Sequence, residues 1–408
     1  MRAAEAIGKP GDAGAISSRG TTQSGVRAYN ERLVLSLIRT HVSLPKAEIA
    51  RLTGLSPQTV SVIVRQLEAD DLVLKGASVK GKVGQPSQPY SLNPEGAFSI
   101  GLKVGRRSGD LTLLGLDGKV RNSVHQPYHF PSPLEFMRFA RSGIETLTQG
   151  LGPHLKKRIS GLGIATPFEI WKWEAEAGAS HDVMEAWKSF NLTREVSRIC
   201  DWPVLPCNDA TAACAAELFF GKGQHYRDFA YIYVGYFVGG GLVINGKLHQ
   251  GPTGNAGAIG SIPVPQPSGG TEQLIRSASF YLLEKAIRDE KGDPSVIWYA
   301  GRDWEGAGKA LDAWIARAAK GLAVAAASLA STMECEAVII DGSMPASVRE
   351  KLVEAVRLAM RDINLDGISS FDIEEGSIGF HARGLGAASL PLFANFMIDR
   401  DVLFKSTV

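Results

Sequence analysis

The chain has 408 residues, 44% of them hydrophobic, and a formal net charge of +2; it is too long for one ordinary domain and long enough to build two or three separate cores. Its four cysteines include no CxxC pair, which argues against a disulfide framework or a structural zinc site and leaves buried free thiols as the default. The charge is uneven: residues 1–90 carry 12 Lys/Arg against 7 Asp/Glu, and the remainder 32 against 35. A basic excess on one segment suits phosphate neutralisation, although charge runs are commonly just solvated surface.

Residues 1–25 are rich in Gly, Ala, Ser and Thr with almost no large apolar residue. They are expected to form a disordered tail, and they lack the apolar core of a signal peptide. The longest uncharged run, Phe229 to Gly246, contains Gly235 and the triplet Gly239–Gly241, which suits strands around a tight turn better than a membrane helix. A cytoplasmic protein that does not enter a membrane is expected.

Residues 26–93 read as a small DNA-binding module. A first helix from Tyr29 to Arg39 carries Leu33, Val34, Leu37 and Ile38; a second from Pro45 to Thr53 carries Ile49, Ala50 and Leu52 inward; Gly54 supplies the turn. A third helix opens at Ser56, a good N-cap, followed by Pro57 at its first position. Val60, Ile63, Val64 and Leu67 make one apolar stripe, while Gln58, Ser61, Val62 and Arg65 repeat the same spacing on the opposite face. Short polar side chains and an arginine on an exposed helix face are what a major groove accommodates. A strand from Leu72 to Leu74, a basic tip at residues 80–86 and a return strand from Tyr90 to Leu92 complete a wing. The expected DNA contacts are Gln58, Thr59, Ser61 and Arg65 on the helix and Lys80 and Lys82 on the wing. An amphipathic hairpin used only for packing or dimerisation is the alternative.

Beyond Ala97 the pattern becomes α/β. Phe98 to Val104, Asp110 to Leu116 and Lys119 to Gln126 alternate as an antiparallel meander with turns at Arg106–Gly109 and Asp117–Gly118. A helix from Leu134 to Thr148, a strand from Ile159 to Ala165, a helix from Asn191 to Cys200 and a strand from Pro203 to Cys207 follow. A second meander starts at Phe229, with YIYVGYFVGGGLVINGKL reading as two strands around a Gly-rich turn and a third after Asn245–Gly246. It is continued by a helix from Gly306 to Met333, a strand from Ala337 to Asp341 and a helix from Ala346 to Ile363. Two such starts predict a duplicated, two-lobed domain with a ligand cleft between lobes at residues 94–208 and 209–383, and a final helix within 384–408 returning to the first lobe.

The order of PCNDATAAC from Pro206, GGGLVING from Gly239 and GNAGAIG from Gly254, after a winged helix-turn-helix, resembles the ROK family of repressors and sugar kinases. The resemblance implies an actin-like, RNase H-like sugar kinase fold with a sugar pocket in the cleft. For members with this amino-terminal module it also implies transcriptional control by a carbohydrate. It places Asp209 where a kinase of the family keeps its general base, Asn208 beside it on sugar hydroxyls, and Glu272 as a further sugar-binding acid. Two residue-level readings stand beside these: Asp209 as a cap of the helix Ala210 to Phe219, and Glu272 as a favourable charge at a helix N-terminus.

The departures are as informative. The family's Asp-x-Gly-Gly-Thr phosphate loop is here KVGRRS from Lys103, and its Gly-Thr-Gly-x-Gly loop is GYFVG from Gly235, which puts Tyr236 and Phe237 where a hydroxyl and a glycine belong. Magnesium needs oxygen ligands and a phosphate loop needs small residues, so nucleotide binding is expected to be lost. The family's Gly-Glu-x-Gly-His segment is GAIGS from Gly257, so Ala258 and Ser261 replace an acid and a zinc-binding histidine. The loop TPFEIW from Thr166 corresponds to one over the sugar, where Glu169, Trp171 or Trp173 meets ligand or the aromatics simply fill core. His249 and His381 are isolated.

The expected ligand set is Thr166, Glu169, Asn208, Asp209, Asn255, Ser261 and Glu272, with no catalytic residue, no metal and no cofactor. The leading expectation is a sugar-sensing DNA-binding regulator, dimeric or tetrameric, acting as a repressor on an inverted-repeat operator in double-stranded DNA, and not an enzyme. An active sugar kinase of the family, or a DNA-binding protein whose large domain serves only assembly, are the alternatives.

Overall fold

The computed structural model describes residues 22–78, 87–172, 180–266, 268–298 and 303–398. The chain divides into two compact units, residues 1–92 with 396–408, and residues 93–395.

The first unit is a winged helix. Helix α1, Gln23–His41, begins earlier than its apolar periodicity suggests because Thr22 caps it, its Oγ1 accepting from the Gly25 amide at 3.0 Å; residues 23–25 are therefore helix and not tail. It buries Val34, Leu35 and Ile38. A short strand β1, Ser43–Pro45, leads into α2, Lys46–Thr53. Leu52 is 38% exposed, contrary to expectation; Leu44 on β1 and Ile49 supply the buried contacts from this stretch. Gly54 adopts φ 70° and its amide closes on Ala50 O at 3.0 Å, the left-handed exit that lacks a Cβ penalty only in glycine.

Helix α3, Pro57–Ala69, is capped by Ser56, whose Oγ accepts from the Thr59 amide at 3.1 Å. Val60, Ile63, Val64 and Leu67 are all buried, as their spacing requires. Strands β2, Val73–Lys75, and β3, Pro89–Leu92, form a three-stranded sheet with β1 in which β3 is central. Lys80 and Lys82 lie outside the described residues. The chain after Phe396 belongs to this unit: Ser36 Oγ on α1 donates to Met397 Sδ at 3.7 Å and accepts from the Ile398 amide at 2.9 Å.

The second unit holds two five-stranded sheets of identical connectivity. The first runs β6-β5-β4-β7-β8 and the second β11-β10-β9-β14-β15, so in each an antiparallel three-strand meander is extended by two parallel strands on the far side of its first strand. The strands are β4, Phe98–Val104; β5, Ser108–Gly115; β6, Val120–Pro127; β7, Ile159–Thr166; and β8, Val204–Asn208. Their counterparts are β9, Phe229–Val234; β10, Gly239–Ile244; β11, Lys247–His249; β14, Ala337–Gly342; and β15, Asp372–Glu375. Between β11 and β14 lies a small hairpin of β12, Pro263–Pro265, and β13, Thr271–Gln273. Central strands β4, β9 and β14 are buried along their whole length, as expected where helices cover both faces.

The glycine triplet Gly239–Gly241 is not the turn. It lies within β10, and the turn is residues 235–238. The helix Asp209–Phe220 packs directly on this strand: a Cβ on Gly239 would fall 2.7 Å from Ala210 Cβ, and one on Gly241 2.5 Å from Cys214 Cβ. The glycines therefore serve close helix–strand approach.

The stretch Glu305–Met333, which holds the helix Gly308–Met333, is long and apolar enough by composition to cross a bilayer, but 67% of its most apolar 18-residue window is buried within the fold, and Trp314 Nε1 donates to Ser279 O at 3.1 Å. The last helix, Ala382–Phe396, packs on the first sheet through small residues: Ser99 Oγ donates to Ala388 O, and Gly101 and Gly163 lie against Ala388 and Ala387.

Candidate functional site

On α3 the face opposite the core presents Gln58 and Arg65 exposed, Ser61 half-exposed and Val62 at 61% exposure. Thr59 is drawn into the cap, its hydroxyl 2.8 Å from that of Ser56. Of the expected helical readers, three are thus free of the cap and Thr59 is committed to it.

The cleft between the two sheets contains two adjoining cavities. The first, about 300 Å³, is floored by the N-terminus of the helix Asp209–Phe220. Glu169, Asn208, Asp209, Asn255 and Ser261 all line it, so five members of the expected ligand set converge. Asn208, not Asp209, is the cap: its Oδ1 accepts from the amides of Ala210 at 3.0 Å and Thr211 at 3.3 Å, which leaves the side-chain nitrogen as its remaining donor. Asp209 is the first helical residue, and its Oδ2 accepts from Arg383 Nη1 at 3.2 Å. Glu169 sits at φ 49° and is ion-paired with Lys172 at 2.6 Å.

Two expected ligands are not among the lining residues. Thr166 ends β7 in register with Asn208, and Pro167 forms the wall beyond it. Glu272 lies in β13 and not at a helix start, and Arg317 Nη2 holds it at 2.9 Å. Trp171 packs half-buried against the core of the first sheet, and Trp173 lies outside the described residues.

The second cavity, about 390 Å³, shares Arg106, Tyr236 and Arg383 with the first. Its floor is the β4–β5 turn that replaces the first phosphate loop. Lys103, 4% exposed, places its ammonium 2.5 Å from Asp110 Oδ2 and 3.2 Å from Ser108 Oγ. Burial, and then Arg383, push this lysine below its ordinary pKa despite Asp110. Burial would raise Asp110, but Lys103 and His125 outweigh it and hold the carboxyl below its usual range. Arg106 stacks on Tyr236 with its guanidinium carbon 3.7 Å from the ring centre, and Arg107 on Trp298 at 4.3 Å. The carbonyls of the replaced second loop are held by the start of a following helix. The Phe280 and Tyr281 amides, at the start of the helix Phe280–Asp289, donate to Gly235 O at 3.0 Å and Tyr236 O at 3.3 Å. A helix N-terminus so occupied does not present these amides to a phosphate.

Arg383 links the cavities. Burial works against its charge, but Tyr233 and Asp209 outweigh it and hold the guanidinium above its ordinary value; its carbon lies 5.2 Å from the Tyr233 ring centre. Sequence reasoning missed this residue, and it missed that Arg106 and Tyr236 build a wall as well as replacing a phosphate loop.

Cys207, Cys214 and Cys335 are buried, whereas Cys200 is half-buried. Burial, and then Asp209, push Cys207 up to about 12; burial also raises Cys214, Cys335 and half-buried Cys200 above the ordinary thiol value. Native protein at pH 8 is therefore expected to react with a thiol reagent at no more than one site, Cys200, and at all four cysteines once denatured. Rapid labelling of Cys207 in the folded state would contradict the burial described.

A winged helix-turn-helix joined to a duplicated α/β domain of the actin-like sugar kinase type, with a polar cleft between its sheets, defines the class of protein. A model described as the ROK family matches residues 99–392 and one described as winged helix-turn-helix DNA-binding matches residues 27–73. The chain belongs to the ROK family. It is 23% identical over 374 residues to protein y4fQ of Sinorhizobium fredii, covering 90% of this chain and 92% of that one. It is 24% identical over 242 residues to the xylose repressor of Bacillus spizizenii, covering 59% of this chain and 62% of the repressor's length. A crystal structure of a ROK family transcriptional regulator, homologous to the E. coli MLC protein, superimposes with a TM-score of 0.65 at 19% identity, covering 93% of this chain and 99% of that one; at that identity the likeness concerns the fold.

Proposed function

We propose that this chain is a sugar-responsive DNA-binding transcriptional repressor whose two-sheet domain binds a sugar or sugar derivative in the cleft and has lost phosphoryl transfer. The observation that carries the reading is the pairing of an exposed polar helix face, Gln58, Ser61 and Arg65, with a sugar-kinase cleft whose carboxylate is held by Arg383. Positioned Asn208 and Asp209 remain good partners for a polyol, while the start of the helix Phe280–Asp289 is occupied by loop carbonyls. A general base without a phosphoryl donor transfers nothing. The ligand acts by binding two arrangements of the sheets with different affinity. A dimer or tetramer would set paired α3 helices on an inverted repeat. The names of the repressor and regulator relatives support the regulatory reading over the kinase one.

The test is a gel-shift titration with genomic fragments enriched by binding to the protein. Arg65→Ala is expected to weaken binding by about 1–3 kcal/mol, roughly 5- to 150-fold, and to relax base choice at one position. Unchanged affinity and specificity would refute α3 as the reading helix.

A further inference from the structure

We infer that Val62 is a base-reading residue: it meets the C5-methyl group of a thymine in the major groove, so each half of the operator carries an obligatory thymine near the base reached by Gln58. The inference deepens the regulatory reading and rests on its assignment of α3 as the reading helix.

Val60, Ile63, Val64 and Leu67 centre on one side of α3 and are buried. At about 100° per residue, Gln58, Ser61, Val62 and Arg65 centre on the opposite side, with Val62 roughly 40° round the axis from Gln58 and roughly 60° from Arg65. The residues at the rim of this face are spent on the helix itself. Thr59 Oγ1 lies 2.8 Å from Ser56 Oγ in the cap, and Gln66 Nε2 donates to Asp70 Oδ1 at 3.0 Å. Val62 therefore stands near the middle of what α3 offers to a groove, and it is 61% exposed.

Two features set it apart from an ordinary surface valine. An exposed helix position is better filled by Ala, Lys or Glu, because a branched side chain loses rotamer freedom against the preceding turn; Val62 bears that cost and adds nothing to the buried stripe. Its face is otherwise polar, with Gln58, Ser61 and Arg65 around it, and one apolar side chain in such a setting is too small for a protein interface. The partner that fits presents a methyl-sized apolar group among hydrogen-bonding groups. Of the four bases only thymine shows that pattern in the major groove; adenine, guanine and cytosine show donors and acceptors alone. A hydrocarbon laid on those edges removes water without replacing its hydrogen bonds. The contact also orders little, since a helical valine already keeps one χ1 state.

Spacing agrees with chemistry. Gln58 and Val62 are about 6 Å apart along the helix axis at about 1.5 Å per residue, and successive bases on a strand are about 3.4 Å apart, so the two side chains reach bases within about two steps of each other.

The experiment titrates the full chain by gel shift against a synthetic duplex carrying its best site from the selected genomic fragments. Each thymine is replaced in turn by deoxyuridine, which pairs identically and lacks only the methyl group. Replacement at one thymine per half-site is expected to weaken binding about fourfold, the worth of burying one methyl-sized group. Val62→Ala, which favours the helix, should weaken binding to the unmodified duplex by a similar factor and abolish the deoxyuridine penalty at that position while leaving other positions unchanged. If no thymine shows a penalty that Val62 controls, the inference is overturned. A penalty that persists undiminished in Val62→Ala overturns it too, since the methyl group then acts through DNA shape or another side chain. In both cases a weakened Arg65→Ala leaves α3 standing as the reading helix, whereas an Arg65→Ala with unchanged affinity and specificity refutes that assignment as well.

Discussion

Asp209→Ala is expected to lower the unfolding free energy by about 3 kcal/mol, because it leaves the Arg383 guanidinium inside the cleft without its carboxylate. The two side chains are 16% and 15% exposed, close enough to burial that removing one partner strands the other; breaking a buried pair costs about 3–5 kcal/mol, and the residual exposure places this pair at the lower end. Arg383→Met in the same protein should recover most of the loss, since the uncompensated charge disappears with it. Urea denaturation of both single variants and the double variant gives the coupling energy. Additive effects would show that the two side chains do not depend on each other. The same variants address chemistry. With Asp209 held by Arg383, the parent protein is expected to release no ADP above background with common hexoses, and turnover that vanishes in Asp209→Asn would restore the kinase reading.

Gly163→Ala and Gly386→Ala are each expected to destabilise the protein by about 3 kcal/mol or to prevent folding. A Cβ on Gly163 would lie 1.9 Å from Ala387 O, and one on Gly386 1.7 Å from Ala212 O. Both obstacles are backbone atoms in helices, so neither can rotate away as a side-chain end would, and overpacking a well-filled core already costs about 1–3 kcal/mol when neighbours do yield. Gly150→Ala, with nothing within 4 Å, is the control and should change stability by less than about 0.5 kcal/mol. Thermal and urea denaturation compare the three. A mild effect at Gly163 would mean that the last helix does not seat on β7 as described.

The winged helix was legible because its signals are local. Val60, Ile63, Val64 and Leu67 repeat on one helix face, Ser56 and Pro57 mark its start, and each cue lies within a few residues of what it specifies. The duplicated sheets were legible from the order of strands and turns. What failed was decided across the fold. Gly239–Gly241 looks like a turn to any local rule, but the absent side chains make room for Ala210 and Cys214 on another element. Leu52 fits an apolar stripe on a helix of eight residues, too short for the stripe to specify which edge turns outward. Glu272 is claimed by Arg317, 45 residues away, and Asp209 by Arg383, 174 residues away. No spacing rule reaches so far. Arg106 and Tyr236 were conspicuous as substitutions, yet their stacking on each other needed the two sheets to be brought face to face.

That stacking has a thermodynamic consequence. The β4–β5 turn belongs to the first sheet, whereas Tyr236, Glu284 and Trp298 follow strands of the second, so Arg106 and Arg107 act as a latch across the mouth of the cleft. A latched mouth means that the shut arrangement is already populated before any ligand arrives, and the apparent affinity of a ligand that enters only the open one is reduced by the fraction of time the latch is undone. Adding salt, or loosening either stack, would then shift the balance between shut and open arrangements and with it the sensitivity to the effector.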